Sequence, residues 1–74
     1  MKTYTHKPLA LARKKLGFTL EDVIRRLYAE HQIDVSANTI LNWEEGATHP
    51  DADLLPKLVA VLKLKVDDLY EVQT

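Results

Sequence analysis

The chain has 74 residues, no cysteine and a net charge of −1, and 46% of its residues are hydrophobic. This length supports one small domain with a thin core. The lack of cysteine excludes a disulfide framework and a thiolate metal site. Polar residues interrupt the start of the chain, so no signal peptide is expected. No apolar run approaches the ~18 residues that a membrane span needs. We therefore expect a cytoplasmic protein that does not enter a membrane.

The charges are divided unevenly along the chain. Residues 1–26 carry seven basic and two acidic residues, whereas residues 27–56 carry six acidic residues and no basic residue. A nucleic-acid-binding protein usually presents a basic patch, and here only the first third of the chain offers one. The histidines at 6, 31 and 49 lack the spacing of metal ligands, so we expect no metal and no other cofactor. Without a nucleophile–base set or a glycine-rich phosphate loop, the chain does not look like an enzyme.

The first predicted helix begins at Pro8, a residue that suits the first helical turn. Leu9, Ala12 and Leu16 follow at helical spacing, and Gly17 ends the helix.

A second helix is predicted from Thr19, which has Asp22 three residues later in the pattern of a capping box. This helix is expected to run toward His31. Two ion pairs at i,i+4 spacing are expected on its exposed face, Glu21 with Arg25 and Asp22 with Arg26.

Residues 36–46 predict a third, short helix. Ser36 can accept a backbone N–H bond at its start, and Gly46 can end it in the left-handed conformation. Ile40 and Trp43 lie three residues apart, so they share one face and are expected in the core. The outward face holds Ala37, Asn38, Leu41 and Asn42. Exposed amides on a short helix suit the reading of base edges.

A fourth helix is predicted with Asp53 as its cap and Pro56 in its first turn. Residues 63–66 alternate between lysine and apolar side chains, but we expect a connector because the chain offers no second strand to pair with it. A last short helix should begin at Val66 or Asp67 and run through Tyr70. The C-terminal apolar residues either close the core or form a dimer patch; they are Leu64, Val66, Leu69, Tyr70 and Val72.

A set of residues in fixed order carries a family resemblance. The set comprises Arg13, the run Leu16–Val23, the run Val35–Gly46 with its Trp-Glu-x-Gly ending, Pro50, Leu55, Leu58, Leu62 and Val66–Leu69. In this order the chain resembles the Cro/phage-repressor (Xre-type, lambda-repressor-like) helix-turn-helix DNA-binding family. The resemblance covers about residues 8–70 of a single domain, 1–74, with a short N-terminal arm at 1–7. It implies an all-α, five-helix fold in which helix three, Ser36–Glu45, reads the major groove.

The resemblance also implies roles for particular residues. The base-reading positions of helix three are Ala37, Asn38, Leu41 and Asn42. An Asn amide can pair with adenine, and Ala37 can contact a thymine methyl group. Arg13 and Glu44 match a structural pair that fastens helix one against helix three. The expected phosphate contacts are Lys7, Arg13, Lys14, Lys15, Thr48 and His49.

The chain departs from the family pattern at two places. Leu20 stands where the family often has a glutamine that bonds phosphate, so that contact is absent. Residues 29–34 look like an insertion that lengthens helix two or its turn.

The function expected from these observations is sequence-specific binding of double-stranded DNA by a small transcriptional regulator or phage-type repressor that acts as a homodimer. One alternative is a protein-interaction module on the same fold, with the acidic Glu44–Glu45 region and residues 29–34 against a protein partner. Another is an antitoxin-like regulator partnered with a toxin. A positive surface beside Asn38 and Asn42 would favour DNA, and a negative or apolar surface would favour a protein partner.

Overall fold

The structure is a computed structural model that describes residues 2–72. Four α-helices, one 3₁₀ helix and two short strands make up this part of the chain. In chain order they are β1 (Lys2–Tyr4), α1 (Lys7–Lys15), α2 (Leu20–His31), α3 (Ala37–Glu45), α4 (Leu55–Val61), the 3₁₀ helix (Val66–Leu69) and β2 (Tyr70–Val72). The all-α class expected from the sequence is confirmed, with α2 and α3 as its helix-turn-helix.

The starts of α2 and α3 follow from their capping residues. The Thr19 side chain accepts a hydrogen bond from the Asp22 backbone N–H (3.1 Å), and the Asp22 carboxylate accepts one from the Thr19 N–H (2.9 Å). This reciprocal pair is the predicted capping box. Ser36 Oγ accepts from the Thr39 N–H (3.2 Å), as predicted. Both bonds satisfy backbone donors that have no partner within their helix.

Each of the four α-helices is followed by a residue with positive φ. Gly17 and Gly46 hold two of these positions, as the sequence indicated, and Gln32 and Lys63 hold the others at φ 59° and 60°. The left-handed residue turns the chain so that the next N–H groups bond back to the last carbonyls. After α4, for example, Lys63 N–H bonds to the Ala60 carbonyl (3.2 Å).

One buried cluster joins all the helices. It contains Leu9 of α1, Val23 and Leu27 of α2, Ile40 and Trp43 of α3, Leu55, Leu58, Val59, Val61 and Leu62 around α4, and Leu69 of the 3₁₀ helix. Leu64 and Val66 are partly buried against this cluster. Of the predicted C-terminal patch, Leu64, Val66 and Leu69 thus close the core, whereas Tyr70 is exposed and the side chain of Val72 lies outside the described residues.

Residues 2–4 and 70–72 pair in a small antiparallel sheet that the sequence reading missed. Thr3 lies opposite Glu71, and Tyr4 lies opposite Tyr70. The Tyr4 ring also contacts the Tyr70 ring edge-on, with 5.8 Å between centroids. The expectation that the chain offers no second strand was therefore wrong, and residues 2–4 of the supposed N-terminal arm are part of the fold. Residues 64 and 65 do form a connector.

Three further expectations need correction. The predicted fifth helix is a single 3₁₀ turn, because Tyr70 becomes extended to pair with β1. Asp53 is not the cap of α4: the N-cap is Leu54, which makes no side-chain cap bond, and the Asp51 carbonyl instead accepts the Leu54 and Leu55 N–H groups at 3.0 and 2.9 Å. The ion pairs on α2 have other partners than expected, namely Arg25 with Asp22 and Arg26 with Glu30.

Candidate nucleic-acid interface

The two faces of α3 differ in burial and chemistry. Ile40 and Trp43 are buried, with 3% and 5% of their surface exposed. On the opposite face Asn38 is exposed, and Leu41 is 40% exposed. Docking through the inner face leaves the outer side chains available to a ligand.

The amides on this face have no hydrogen-bond partner in the described part of the chain. Ala37 and Asn42 are half-buried beside the exposed Asn38 and Leu41. Within residues 2–72, neither the Asn38 nor the Asn42 side chain makes a hydrogen bond. An amide carries both donors and an acceptor, and here these groups remain free for bonds to a bound molecule.

The structure brings Arg13 of α1 and Glu44 of α3 together. Arg13 Nε donates to Glu44 Oε2 (2.6 Å), and Nη2 donates to Oε1 (3.2 Å). The side chains are only 14% and 7% exposed. The hydrogen bonds to Glu44 raise the pKa of Arg13 above its usual value, although burial acts in the opposite direction. This two-point contact fixes the end of α3 against α1.

Arg13 also braces the entry to α2. Its Nη1 donates to the carbonyl of Phe18 (3.0 Å), in the turn that leads into α2. All three guanidinium nitrogens thus have partners inside the protein. One side chain therefore holds α1, the end of α3 and the start of the helix-turn-helix in a fixed arrangement, and little of it remains for phosphate.

His6 is a structural residue that the sequence reading did not identify. Its Nδ1 donates to the Glu44 backbone carbonyl (2.8 Å), and its ring lies over Gly46. A Cβ atom at Gly46 would stand 2.5 Å from His6 Cδ2. Glycine is required here both by its φ of 81° and by this close approach. The signal in the sequence was Gly46 itself. The sequence indicated that Gly46 ends α3, but it did not indicate that the His6 ring packs against this glycine.

The predicted phosphate contacts fall into separate groups. Lys7 and Lys15 line a groove formed with residues 62–64 and Glu71, and no α3 residue lines that groove. Thr48 and His49 are exposed just after α3. Phosphate contact stays a prediction for all six residues, Lys7, Arg13, Lys14, Lys15, Thr48 and His49.

His49 packs edge-on against Tyr4, with 4.5 Å between the ring centroids. Burial, and secondarily the nearby Tyr70, raises the pKa of the Tyr4 hydroxyl. The contact between the His49 and Tyr4 rings holds the loop after α3 against the sheet of β1 and β2. It therefore restricts the positions that the His49 side chain can reach.

The charges next to the outward face are acidic. α3 carries no basic residue, Glu45 is exposed at its end, and Asp34 is exposed just before it. Glu44 is neutralised by Arg13. Within residues 2–72, α3 and the residues directly flanking it therefore offer no positively charged side chain for phosphate beside Asn38 and Asn42.

Residues 2–72 contain no cluster of His, Asp and Glu that could hold a metal ion. None of the described helices is long and apolar enough to cross a membrane.

Most of the chain is similar to a known protein family. The family model HTH_3, described as helix-turn-helix, matches residues 9–69. A search of curated proteins finds no match. The matched range covers all four α-helices except the start of α1. It includes the Arg13–Glu44 ion pair and the outward face of α3. The chain belongs to the HTH_3 helix-turn-helix family of Xre-type, lambda-repressor-like DNA-binding regulators.

Proposed function

We propose that this protein is a transcriptional repressor that binds a specific sequence of double-stranded DNA with α3 in the major groove. The observation that carries the proposal is the outward face of α3. It presents two unbonded amides, Asn38 and Asn42, on a helix held by the Arg13–Glu44 contact. A rigid helix with free amides can pair with adenine edges without first breaking internal bonds.

The base-reading set is Ala37, Asn38, Leu41 and Asn42. The two amides select adenine, and the apolar pair contacts thymine methyl groups. An A·T-rich half-site is therefore expected. Since α3 has no basic side chain, affinity for phosphate comes from the start of α3 and from Lys14, Thr48 and His49.

A homodimer on a pseudo-palindromic operator is part of the proposal. Paired helix-turn-helix domains read half-sites about one helical turn apart, ~34 Å. Two copies of a weakly charged interface supply the affinity that one copy lacks, because linked sites bind with a high effective concentration.

In-vitro selection from a random duplex library, followed by fluorescence anisotropy on the best site, tests this function. Each of Asn38→Ala and Asn42→Ala should weaken binding about 5- to 150-fold, the range of a lost base-specific pair. Glu30→Ala is the control, because Glu30 is exposed on the last turn of α2 and its carboxylate pairs with Arg26 on the same helix. Retention of full affinity by both Asn variants would rule out this mode of reading, and a selected site without two-fold symmetry would rule out the dimer.

A further inference from the structure

A second surface lies on the other side of α1 and is not used by the proposed DNA contact. It is a groove of about 750 Å³ between α1 and the chain that leaves α4, here called the α1/α4 groove. Leu11, Leu16, Leu62 and Leu64 form its apolar floor. Leu11 is 69% exposed and Leu16 is 37% exposed, so part of this floor faces solvent. Its volume is in the range of clefts that bind ligands, about 300–1,000 Å³.

The charges around the α1/α4 groove are mostly positive. Lys7, Lys15 and Lys63 line it, and Glu71 is the acidic residue among its described lining. Lys7, Leu11 and Lys15 are spaced four apart on α1, so they form one row about 12 Å long, since a helix rises ~1.5 Å per residue. An apolar position thus lies midway between two positive charges.

The backbone of Lys63 is in a strained conformation. It adopts φ 60° at the end of α4, a conformation that favours glycine. Gly17 and Gly46 hold the equivalent positions after α1 and α3, and Gln32 holds the one after α2. A lysine here adds a third positive charge to the groove, where glycine would add none.

We propose that the α1/α4 groove docks an acidic amphipathic helix of a protein partner. The floor takes apolar side chains spaced three or four residues apart on that helix, as in other helix-in-groove complexes. Acidic residues about two turns apart on the partner face Lys7 and Lys15, with an apolar residue between them against Leu11. This complementarity of charge is the reason for choosing an acidic helix.

Outside the groove, the described part of a second copy of this chain offers no exposed apolar row that could fill it. Outside the groove, the exposed large hydrophobic residues of the described part are Tyr28, Leu41 and Tyr70. They stand on α2, α3 and β2, so none of these elements presents a row of two. Two copies packed groove to groove would bring the lysines at 7, 15 and 63 of one copy close to those of the other, which opposes such a dimer. We therefore take the fitting helix from another protein, and this partner would act on the regulator without covering α3.

The test is selection of 16-residue helical peptides from a display library in which acidic, basic and apolar residues are equally represented, with the full chain as bait. Enriched peptides should be acidic and amphipathic. Their binding should fall about tenfold or more with Leu11→Ser, because a largely exposed leucine becomes buried on docking. Lys63→Gly should weaken binding about two- to fivefold, as for an exposed charge pair, while raising the melting temperature by relieving the strain.

Tyr28→Ser is the matched control, since Tyr28 is 62% exposed and lies outside the groove; its peptide affinity should equal that of the parent. Four results would overturn the proposal. The library yields no peptide whose binding depends on Leu11, or the enriched peptides are basic. Sedimentation detects a dimer that Leu11→Ser abolishes, which makes a second copy the occupant. Lys15→Glu weakens binding to the selected DNA as much as Asn38→Ala does, which makes the groove a DNA surface.

Discussion

Replacing Arg13 by methionine should severely destabilise the domain. Arg13→Met keeps most of the side-chain volume but leaves Glu44, which is 7% exposed, without its positive partner. Removing one partner of a fully buried ion pair costs about 3–5 kcal/mol, and this part-buried pair is expected near the lower end of that range. The Phe18 carbonyl also loses its donor. For a chain of 74 residues the whole free energy of unfolding is about 4–11 kcal/mol, at ~0.05–0.15 kcal/mol per residue.

Urea unfolding followed by tryptophan fluorescence measures this effect. Trp43 is the sole tryptophan of the chain and is 5% exposed, so its emission reports exposure of the core. With a denaturant slope of about 1 kcal/mol/M, the unfolding midpoint should fall by about 3 M or more. Glu30→Ala is the control. Glu30 and its partner Arg26 are 49% and 47% exposed, and loss of such a pair should change stability by less than about 1 kcal/mol.

The double variant Arg13→Met, Glu44→Leu distinguishes a buried ion pair from a merely crowded site. An apolar pair of similar volume replaces a buried ion pair at little cost, so the double variant should be more stable than Arg13→Met alone. A loss below about 1 kcal/mol for Arg13→Met would contradict a stabilising ion pair between Arg13 and Glu44. A double variant that loses the sum of the two single effects would show that the side chains are uncoupled.

Three further outcomes are expected. Gly46→Ala should destabilise the domain more than Gly17→Ala in thermal unfolding. Both positions have positive φ, but only a Cβ at position 46 meets the His6 ring. Equal losses of melting temperature would contradict the close packing of His6 on Gly46. The bond from the Thr19 N–H, and next Arg25, lower the pKa of Asp22. Its contribution to stability is therefore present above about pH 4 and lost as the pH falls through the lowered pKa. Asp22→Asn should flatten the acid side of a plot of melting temperature against pH. An unchanged plot would contradict a stabilising role for the ionised Asp22 carboxylate. DNA affinity should fall only weakly with salt. A plot of the logarithm of the binding constant against the logarithm of the salt concentration should have a slope of about −1 to −3 per protomer, at ~0.9 per phosphate neutralised. A slope near −6 would mean that the N-terminal lysines contact phosphate.

Local signals in the sequence determined the helices of the helix-turn-helix. The Thr19–Asp22 capping box, the Ser36 cap and the Gly46 stop act within a few residues, so their positions could be predicted from spacing alone. The burial of Ile40 and Trp43 followed from helical periodicity, which leaves the opposite face of α3 outward. The pairing of Arg13 with Glu44 was different, since it came from the family resemblance and not from spacing.

Only the tertiary structure decided how the ends of the chain and the charges are arranged. The strands β1 and β2 have three residues each and lie at opposite ends of the sequence, so no local signal pairs them. The same holds for His6 over Gly46, because the contact joins segments about 40 residues apart. In the sequence, the basic residues of α1 form a single group of candidate phosphate contacts. The helix turns Arg13 toward α3, and Lys7 and Lys15 toward the α1/α4 groove, because residues on one helix point in directions set by its 3.6-residue period.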